Sequence, residues 1–369
     1  MSPDEIRIGL LLSDTGLTSD LFRGARHGVD GRLGLLNESG GIHGRKVVYT
    51  WRDDESDARA NQRAARELVE GEEVFALLTM TTVMFGSAEY LNSQRVPVVG
   101  LAVEPVWTQY DNMFSYSNLV PTAPPRTTLG DFARARGGTR AALVISDTSV
   151  ASRIGGDRMR RSVEGAGIPV VATLNYVPGA TSPERLGQQI RSLGVDVLIS
   201  TLAAEDYAHV YMGARAAGAR LKVTLSPSGY DRELLRKYGQ AISGATFFVS
   251  YTPFESTIPA HEQYRQAMVK YAPQLRDPAE EIALASYIAT DLMLRGLLEA
   301  GECPTRENFI MGLAGVDDYN ADGLLPGFVD FSVDNGMPAK CYTFVQVDAT
   351  GAGFEILEPH PVCGTPLPD

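Results

Sequence analysis

Residues 74–88, VFALLTMTTVMFGSA, decide how the whole chain is interpreted. The apolar run 74–78 has the length of a buried strand. Small polar residues follow at 79–82, and residues 83–91 space their apolar members like one face of a helix. A strand that passes through a hydroxyl-rich turn into a helix leaves N–H groups free, so this turn is predicted to hold a carboxylate, an amide oxygen or a phosphate. The plainer alternative is a helix capped by one of the threonines.

This stretch belongs to a regular alternation of strands and helices. Strands are predicted at 6–12, 46–51 and 96–101, with helices at 19–37 and 57–70 between them. The resulting order, β-α-β-α-β-α-β, is typical of a parallel sheet whose strands are joined by right-handed crossovers.

The alternation stops at residues 119–125, LVPTAPP, where three prolines in seven residues predict a stiff connection between domains. It then resumes. The second series has predicted strands at 141–145, 170–174, 195–200, 221–225 and 246–251, and predicted helices at 156–165, 183–193, 205–217 and 232–238. After Thr252-Pro253 come helices at 260–271, 279–300 and 305–313, and strand-like pieces at 327–331, 342–347 and 354–357.

The late helices have no strands between them, so we expect them to cover the first sheet. The predicted lobes are therefore 1–121 with 253–327, and 122–252 with 328–369. A chain that passes more than once between two lobes is typical of a hinged cleft that binds a small ligand. In open parallel sheets the ligand lies at the carboxyl ends of the strands, where residues 79–82 and 102–105 are expected.

Composition excludes several classes of protein. The chain has 369 residues, enough for two domains, and 44% of them are hydrophobic, as in a globular protein. The net charge of −12 argues against nucleic acid and anionic membrane surfaces as partners. No apolar stretch is long enough to span a bilayer. The first residues, MSPDE, lead almost directly into a strand, so we expect either a cytosolic protein or an exported one whose leader is absent.

The three cysteines all lie in the last fifth of the chain. None is part of a CxxC pair, so a zinc site is not expected. Cys341 begins a predicted strand, residues 354–357 can return beside it as a hairpin through Thr350-Gly351, and Cys363 follows within reach. We predict a Cys341–Cys363 disulfide with Cys303 free; the alternative pairs Cys303 with one of the other two.

A pattern of glycines and acidic residues in the first series resembles a known family. Residues 37–45 read Asn-Glu-x-Gly-Gly-Ile-x-Gly-Arg, and Asp53-Asp54 follow. Together with the glycines at 213 and 218 and with Ala285-Ser286-Tyr287, this pattern is similar to type I periplasmic binding proteins of the leucine/isoleucine/valine-binding branch, which includes amide and urea sensors. The resemblance implies an α/β fold of two Rossmann-like lobes, three crossovers at the hinge with the third near 326–331, and closure of the lobes on a ligand.

The resemblance also implies ligand-binding positions. The family holds the ligand carboxylate by two elements. The first is a hydroxyl residue after the fourth strand, which matches Thr81, with Thr82 beside it. The second is the loop after the next strand. The positions in that loop are Ala102, Val103 and Glu104. In the second lobe, the tyrosines that cover the ligand in the family match Ser152 or Gly155, and Ala203 or Ala204. Ser228 matches the acidic residue that pairs with the ligand's α-amino group in the family. Tyr230 is a further candidate. Because the covering tyrosines and that acidic residue are replaced, we expect a roomier or less charged pocket than one for a plain branched-chain amino acid.

Glu104 adds a full negative charge to the edge on which Thr81 and Thr82 are expected. A carboxylate buried in a closed cleft needs a partner, and the simplest is a cationic or N–H-donating group of the ligand. The alternative is that Glu104 pairs with a protein cation or faces water. The first hypothesis predicts a ligand with an acceptor end and a donor end, such as an amino acid, an amino-acid derivative or an amide.

Catalysis is not expected. None of the five histidines lies in HExxH, no GxSxG elbow exists and no GxGxxG follows the first strand, so neither an enzyme nor a cofactor is predicted. Asp53-Asp54 are predicted to cap the next helix rather than bind a metal. The favoured function is a monomeric, extracytoplasmic solute-binding protein that delivers its ligand to the membrane permease subunits of an ABC importer. A cytosolic ligand sensor of the same fold and an enzyme on a doubly wound scaffold are the alternatives.

Overall fold

The computed structural model describes residues 2–119, 123–146 and 149–368. The chain forms two compact units, of which unit 1 comprises Met1–Ala123 and Thr257–Ala339, and unit 2 comprises Pro124–Ser256 and Lys340–Asp369. The chain therefore passes between the units three times. Each unit is built on a parallel sheet with helices between its strands, which confirms the predicted fold class.

Unit 1 contains a five-stranded parallel sheet with the strand order β2-β1-β3-β4-β5. Its strands are β1 (Glu5–Leu12), β2 (Lys46–Asp53), β3 (Leu77–Met80), β4 (Val98–Gly100) and β5 (Met113–Phe114). Its helices are α1 (Ala25–Glu38), α2 (Ala58–Arg66), α3 (Ala88–Ser93), α9 (Pro259–Tyr271), α10 (Glu281–Glu299), α11 (Arg306–Ala314) and α12 (Phe331–Asp334). A π-helical turn, Glu67–Gly71, extends α2, and a 3-10 turn, Met84–Gly86, precedes α3.

Helix α1 joins the early and late parts of unit 1 through a row of glycines. A Cβ atom at Gly28 would lie 2.0 Å from the carbonyl oxygen of Ala283 in α10, and one at Gly31 would lie 2.0 Å from Cε of Met268 in α9. The Cβ atom at Gly28 would meet backbone, and the one at Gly31 would meet the end of a flexible side chain, so α1 packs directly against both late helices and most tightly against α10. Arg32 of α1 also pairs with Asp291 of α10 at 2.7 Å. Helix α10 also contacts β3 and β4 of the first sheet.

Unit 2 contains two sheets. Its strands are β6 (Ala141–Ile145), β7 (Val170–Asn175), β8 (Val197–Ser200), β9 (Val223–Leu225), β10 (Thr246–Val249), β11 (Cys341–Val347), β12 (Phe354–Ile356) and β13 (Val362–Cys363). The first four form a parallel sheet in the order β7-β6-β8-β9. In the second sheet, β10, β12 and β13 each pair antiparallel with β11. The helices are α4 (Thr128–Ala135), α5 (Val150–Gly165), α6 (Pro183–Ser192), α7 (Ala204–Ala216) and α8 (Arg232–Tyr238).

The third passage between the units lies at residues 339/340 and not at 327/328 as the sequence predicts. Residues 327–331 do not form the predicted strand. Val329 makes an isolated bridge with Tyr319, and α12 begins at Phe331, whose ring packs 6.0 Å from that of Phe114 in the first sheet. These contacts keep the segment in unit 1. The second passage, at 256/257, is four residues later than predicted, and the predicted first boundary at 121/122 lies outside the described residues.

The cysteines of β11 and β13 stand directly opposite each other. Cys341 and Cys363 are register partners, and a disulfide joins them across 22 residues of sequence, while Cys303 is exposed and free. The bridge ties the end of the described chain to the antiparallel sheet of unit 2 and limits the conformations of the unfolded chain. No helix in the described part of the chain has both the length and the apolar character needed to cross a bilayer.

Replacing Gly28 by alanine should lower the free energy of unfolding by about 2 kcal/mol, because the added methyl group meets backbone that cannot move without separating α1 from α10. Gly71→Ala is the matched control in the same unit, since a Cβ atom there meets nothing within 4 Å. Scanning calorimetry of both variants measures the difference. Equal stability of the two variants would contradict the proposed close packing.

Thiol titration of the protein unfolded without reductant should find one reactive thiol per chain, that of Cys303. Three thiols would show that Cys341 and Cys363 are reduced in the isolated protein. Cys303→Ser is the control, and it should remove the single reactive thiol while the bridge stays intact.

Candidate functional site

The strands of the unit 1 sheet end together at one edge, which we call the carboxyl edge. Leu12 at the end of β1 is the register partner of Asp53 in β2 and of Met80 in β3, and Thr79 is opposite Gly100 in β4. The residues that follow these strands are therefore brought side by side. They include Ser13, Asp54, Thr81 and Ala102.

Thr81 is held at this edge by contacts on two sides. It is 1% exposed, and its Oγ1 accepts hydrogen bonds from the Val83 N–H group at 3.1 Å and from the Ser13 hydroxyl at 3.0 Å. In the part of the chain that the structure describes, the N–H groups of Thr81 and Thr82 have no acceptor. Two donor hydrogens are thus left at the end of β3.

Thr82 lies beside the loops that follow β1 and β2. Its hydroxyl is 3.1 Å from that of Thr18, which donates to Ser56 Oγ at 2.9 Å, and Ser56 in turn donates to the carbonyl of Thr15. Because the Thr18 hydrogen goes to Ser56, the Thr82 hydroxyl donates to Thr18 and leaves its lone pairs open. The three loops are therefore fixed to one another.

Glu104 has a different role from the one that the sequence predicts. Its carboxylate accepts hydrogen bonds from the N–H groups of Met84 at 2.6 Å and Phe85 at 3.4 Å, at the start of the 3-10 turn Met84–Gly86. The N–H groups that follow the hydroxyl-rich turn thus bind an anion, and that anion is the protein's own side chain. Glu104 is not held by a protein cation through these contacts, and it is 8% exposed, so its oxygens are largely committed to the turn.

Burial raises the pKa of Glu104, and the negative charge of Asp54 adds to that rise, while the hydrogen bonds from Met84 and Phe85 oppose it. The raised pKa means that the folded protein binds this proton more tightly than the unfolded chain does. The carboxyl group's contribution to stability is therefore complete below its ordinary pKa near 4.5 and is lost as the pH rises through the folded-state pKa.

The neighbouring loop residues support the backbone. Ala102 is 1% exposed, its N–H donates to Ser115 Oγ at 3.4 Å, and its carbonyl accepts from the N–H of Leu119. Val103 is half-buried. The buried Ala102 therefore positions this loop.

The other predicted site residues lie in unit 2, after its parallel strands. Ser152 is 6% exposed, accepts from the N–H of Ser146 at 2.9 Å and is 2.8 Å from the Thr201 hydroxyl, so it fixes the loops after β6 and β8. Ala203 is exposed just before α7. The N–H of Ser228 donates to Ser226 Oγ at 3.2 Å. These residues therefore form a second group at the corresponding edge of unit 2.

Tyr230 belongs to an aromatic cluster in unit 2. Its hydroxyl donates to Glu255 at 2.5 Å and accepts from the N–H of Phe254 at 2.8 Å. Burial, followed by the negative charge of Glu255, raises the pKa of Tyr230 far above its ordinary value. Tyr230 is therefore a neutral hydrogen-bond donor whose hydrogen is committed to Glu255.

Sequence reasoning missed the buried polar group behind the edge. The sequence predicts that Asp54 helps to cap the next helix, but Asp54 is completely buried. Asp57 caps α2 instead, by accepting from the N–H groups of Arg59 and Ala60. Asp53 accepts from the N–H groups of three loop residues. The sequence feature that could have indicated this group is the pair Ser13 and Asp54, since each residue directly follows a strand. No cluster of three or more metal-ligating side chains occurs among residues 2–119, 123–146 and 149–368.

Comparison with known proteins identifies a family and a fold. A model of the family described as periplasmic binding protein matches residues 5–352. The Leu/Ile/Val-binding protein homolog 3 of Brucella melitensis is 23% identical over 311 residues, which cover 80% of each chain.

Two solved structures share the fold. One is a solute-binding protein of an ABC transporter from R. palustris in complex with 4-hydroxybenzoate, with a TM-score of 0.76, 16% identity and 98% of each chain covered. The other is a branched-chain amino acid ABC transporter protein from Thermus thermophilus with bound valine, with a TM-score of 0.76, 18% identity and coverage of 99% of this chain and 98% of that one.

Glu104→Gln tests the state of the buried carboxylate. The variant and the wild type should have similar melting temperatures near pH 4, where the carboxyl is protonated. As the pH rises to 7, the melting temperature of the variant should rise relative to that of the wild type, because glutamine does not ionise. Scanning calorimetry across this range measures the difference. Glu89→Gln, at an exposed position of α3, controls for the loss of one carboxylate. A difference that shrinks with rising pH would show that ionised Glu104 stabilises the fold.

Proposed function

The chain belongs to the periplasmic binding protein family, and we propose that it is an extracytoplasmic solute-binding protein that captures a small molecule and delivers it to the membrane permease subunits of an ABC importer. The family match over nearly the whole chain supports this proposal, as do two α/β units that the chain enters more than once. The observation that carries it is the set of unbonded donor hydrogens at the carboxyl edge of unit 1.

The chemistry of these donors favours the acceptor end of a ligand. Two successive N–H groups, beside the Thr81 hydroxyl, can bind a carboxylate or an amide oxygen without a cation. Glu104 and Asp54 are already bonded within the protein, so neither is free to neutralise a positive group on the ligand. Recognition at this edge is therefore directed at oxygen atoms.

The rest of the ligand is proposed to be apolar or aromatic. Phe85 is 61% exposed in the turn that follows these donors, which offers an apolar surface next to them. The ligands in the two similar structures, valine and 4-hydroxybenzoate, both combine a carboxylate with an apolar body. For this chain we propose a small carboxylate or amide with such a body: an amino acid, an amino-acid derivative or an aromatic acid.

We propose binding without turnover, by a monomer. At the carboxyl edge, Ser13 is completely buried and its hydroxyl contacts Asp54 and Thr81, so it is not placed to attack a bound molecule. The Cys341–Cys363 bridge is consistent with an extracytoplasmic location, where disulfides persist.

Matched ligands test the proposed chemistry. In titration calorimetry we expect L-leucine or 4-hydroxybenzoate to bind, and the corresponding alcohol, leucinol or 4-hydroxybenzyl alcohol, to bind at least about tenfold more weakly, because an alcohol offers the donors a single oxygen. Thr81→Val should weaken binding of the acid more than binding of the alcohol.

Thr350→Val, in the β11–β12 hairpin of unit 2, is the control for loss of a threonine hydroxyl. If acid and alcohol bind equally, or if Thr81→Val changes neither, the acceptor end of the ligand is held elsewhere. If no small acid, amide or amino acid binds, the proposed ligand class is wrong.

A further inference from the structure

We propose that Asp54 and Ser13 are positioning residues for ligand binding, because together they aim the Thr81 hydroxyl without touching the ligand. This inference rests on the proposed function, since it concerns how the carboxyl edge holds its acceptor. It extends that function to residues behind the edge.

Asp54 is a buried acceptor with three donors. Its Oδ1 accepts from the Ser13 hydroxyl at 2.7 Å and from the N–H of Ser56 at 3.0 Å, and its Oδ2 accepts from Nδ2 of Asn61 at 2.9 Å. Both Asp54 and Asn61 are completely buried. Their burial keeps Asp54 out of direct contact with a ligand and gives each hydrogen bond a strict geometry.

Ser13 connects this acceptor to the edge. It is completely buried, and its single hydroxyl hydrogen lies between Asp54 Oδ1 and Thr81 Oγ1, at donor–acceptor distances of 2.7 and 3.0 Å. The Val83 N–H approaches Thr81 Oγ1 from another direction at 3.1 Å. The contacts with Ser13 and Val83 together fix the orientation of Thr81 Oγ1 at the edge.

The far side of Asp54 is anchored as firmly. Oδ1 of Asn61, on α2, accepts from the Ser87 hydroxyl at 2.6 Å, just before α3. The hydrogen-bonded chain Ser87–Asn61–Asp54–Ser13–Thr81 therefore joins the segments after β1, β2 and β3 to two helices. Since Asp57 caps α2, Asp54 is not needed for that purpose. We infer that Asp54 lies in the middle of this hydrogen-bonded chain because it orients Ser13.

A double-mutant cycle distinguishes positioning from general stability. In titrations with L-leucine and with 4-hydroxybenzoate, Ser13→Ala should weaken binding about fivefold or more, the equivalent of one hydrogen bond. In a Thr81→Val background, Ser13→Ala should have no further effect, because the hydroxyl it aims is gone. Thr81→Ser keeps the hydroxyl and should restore the sensitivity to Ser13→Ala.

Ser286→Ala is the matched control. Ser286 is a completely buried serine of α10 whose hydroxyl donates to the carbonyl of Ala283, so its loss should lower stability without changing affinity. Independent effects of Ser13→Ala and Thr81→Val on affinity, or an equal loss of affinity in Ser286→Ala, would overturn the proposal.

Amide hydrogen exchange tests the same chain without a ligand. Asp54→Asn and Ser13→Ala should each speed exchange of the Val83 N–H, whose acceptor is Thr81 Oγ1, while exchange within α10 stays as in the wild type. If Asp54→Asn does not fold, Ser13→Ala alone decides. Unchanged Val83 exchange overturns the inference. If neither probe binds the wild type but Val83 exchange responds, the proposed ligand class fails and the positioning of Thr81 stands.

Discussion

The fit of α1 against α10 is the constraint on which unit 1 depends. The two helices approach so closely that a single methyl group at Gly28 would overlap the backbone at Ala283. Neither the early nor the late segment buries its apolar surface alone, because α10 lies under the sheet and α1 lies between α10 and α9. Unit 1 is complete only when the chain returns at residue 257, so its discontinuity in sequence follows from its packing.

The same sheet explains why polar side chains can be buried at its edge. β1 lies between β2 and β3, so Ser13, Asp54 and Thr81 emerge next to one another from adjacent parallel strands. Each of them would be costly to bury alone. Placed together they satisfy one another, with Asn61 supplying a further donor to Asp54. Because the sheet places these three polar side chains together, they form one rigid hydrogen-bonded group. Irregular loops by themselves would not hold them in this arrangement.

The sequence predicts the features that repeat along the chain and misses those that depend on distant partners. Apolar periodicity identifies β6 with its exact bounds and places α10 within two residues at each end. The run 327–331 also alternates like a strand, but Phe331 packs on Phe114, more than 200 residues away, and local pattern cannot show this. Likewise Glu104 is placed on the correct loop, whereas its partners, the N–H groups of Met84 and Phe85, could be assigned only from coordinates.

The charges at the carboxyl edge limit how it can select a ligand. Asp54 and Glu104 are both buried, and the charge of Asp54 adds to the rise that burial causes in the pKa of Glu104, so the local field does not favour an additional anion. Under the proposed function, an acceptor bound here is held by short, directed hydrogen bonds from N–H groups, whose strength depends on position more than on net charge. Burying the two carboxylates costs free energy, but Asp54 fixes Ser13 and Glu104 fixes the turn Met84–Gly86. We therefore propose that the positions of the donors, and not an opposite charge, distinguish one small acceptor from another.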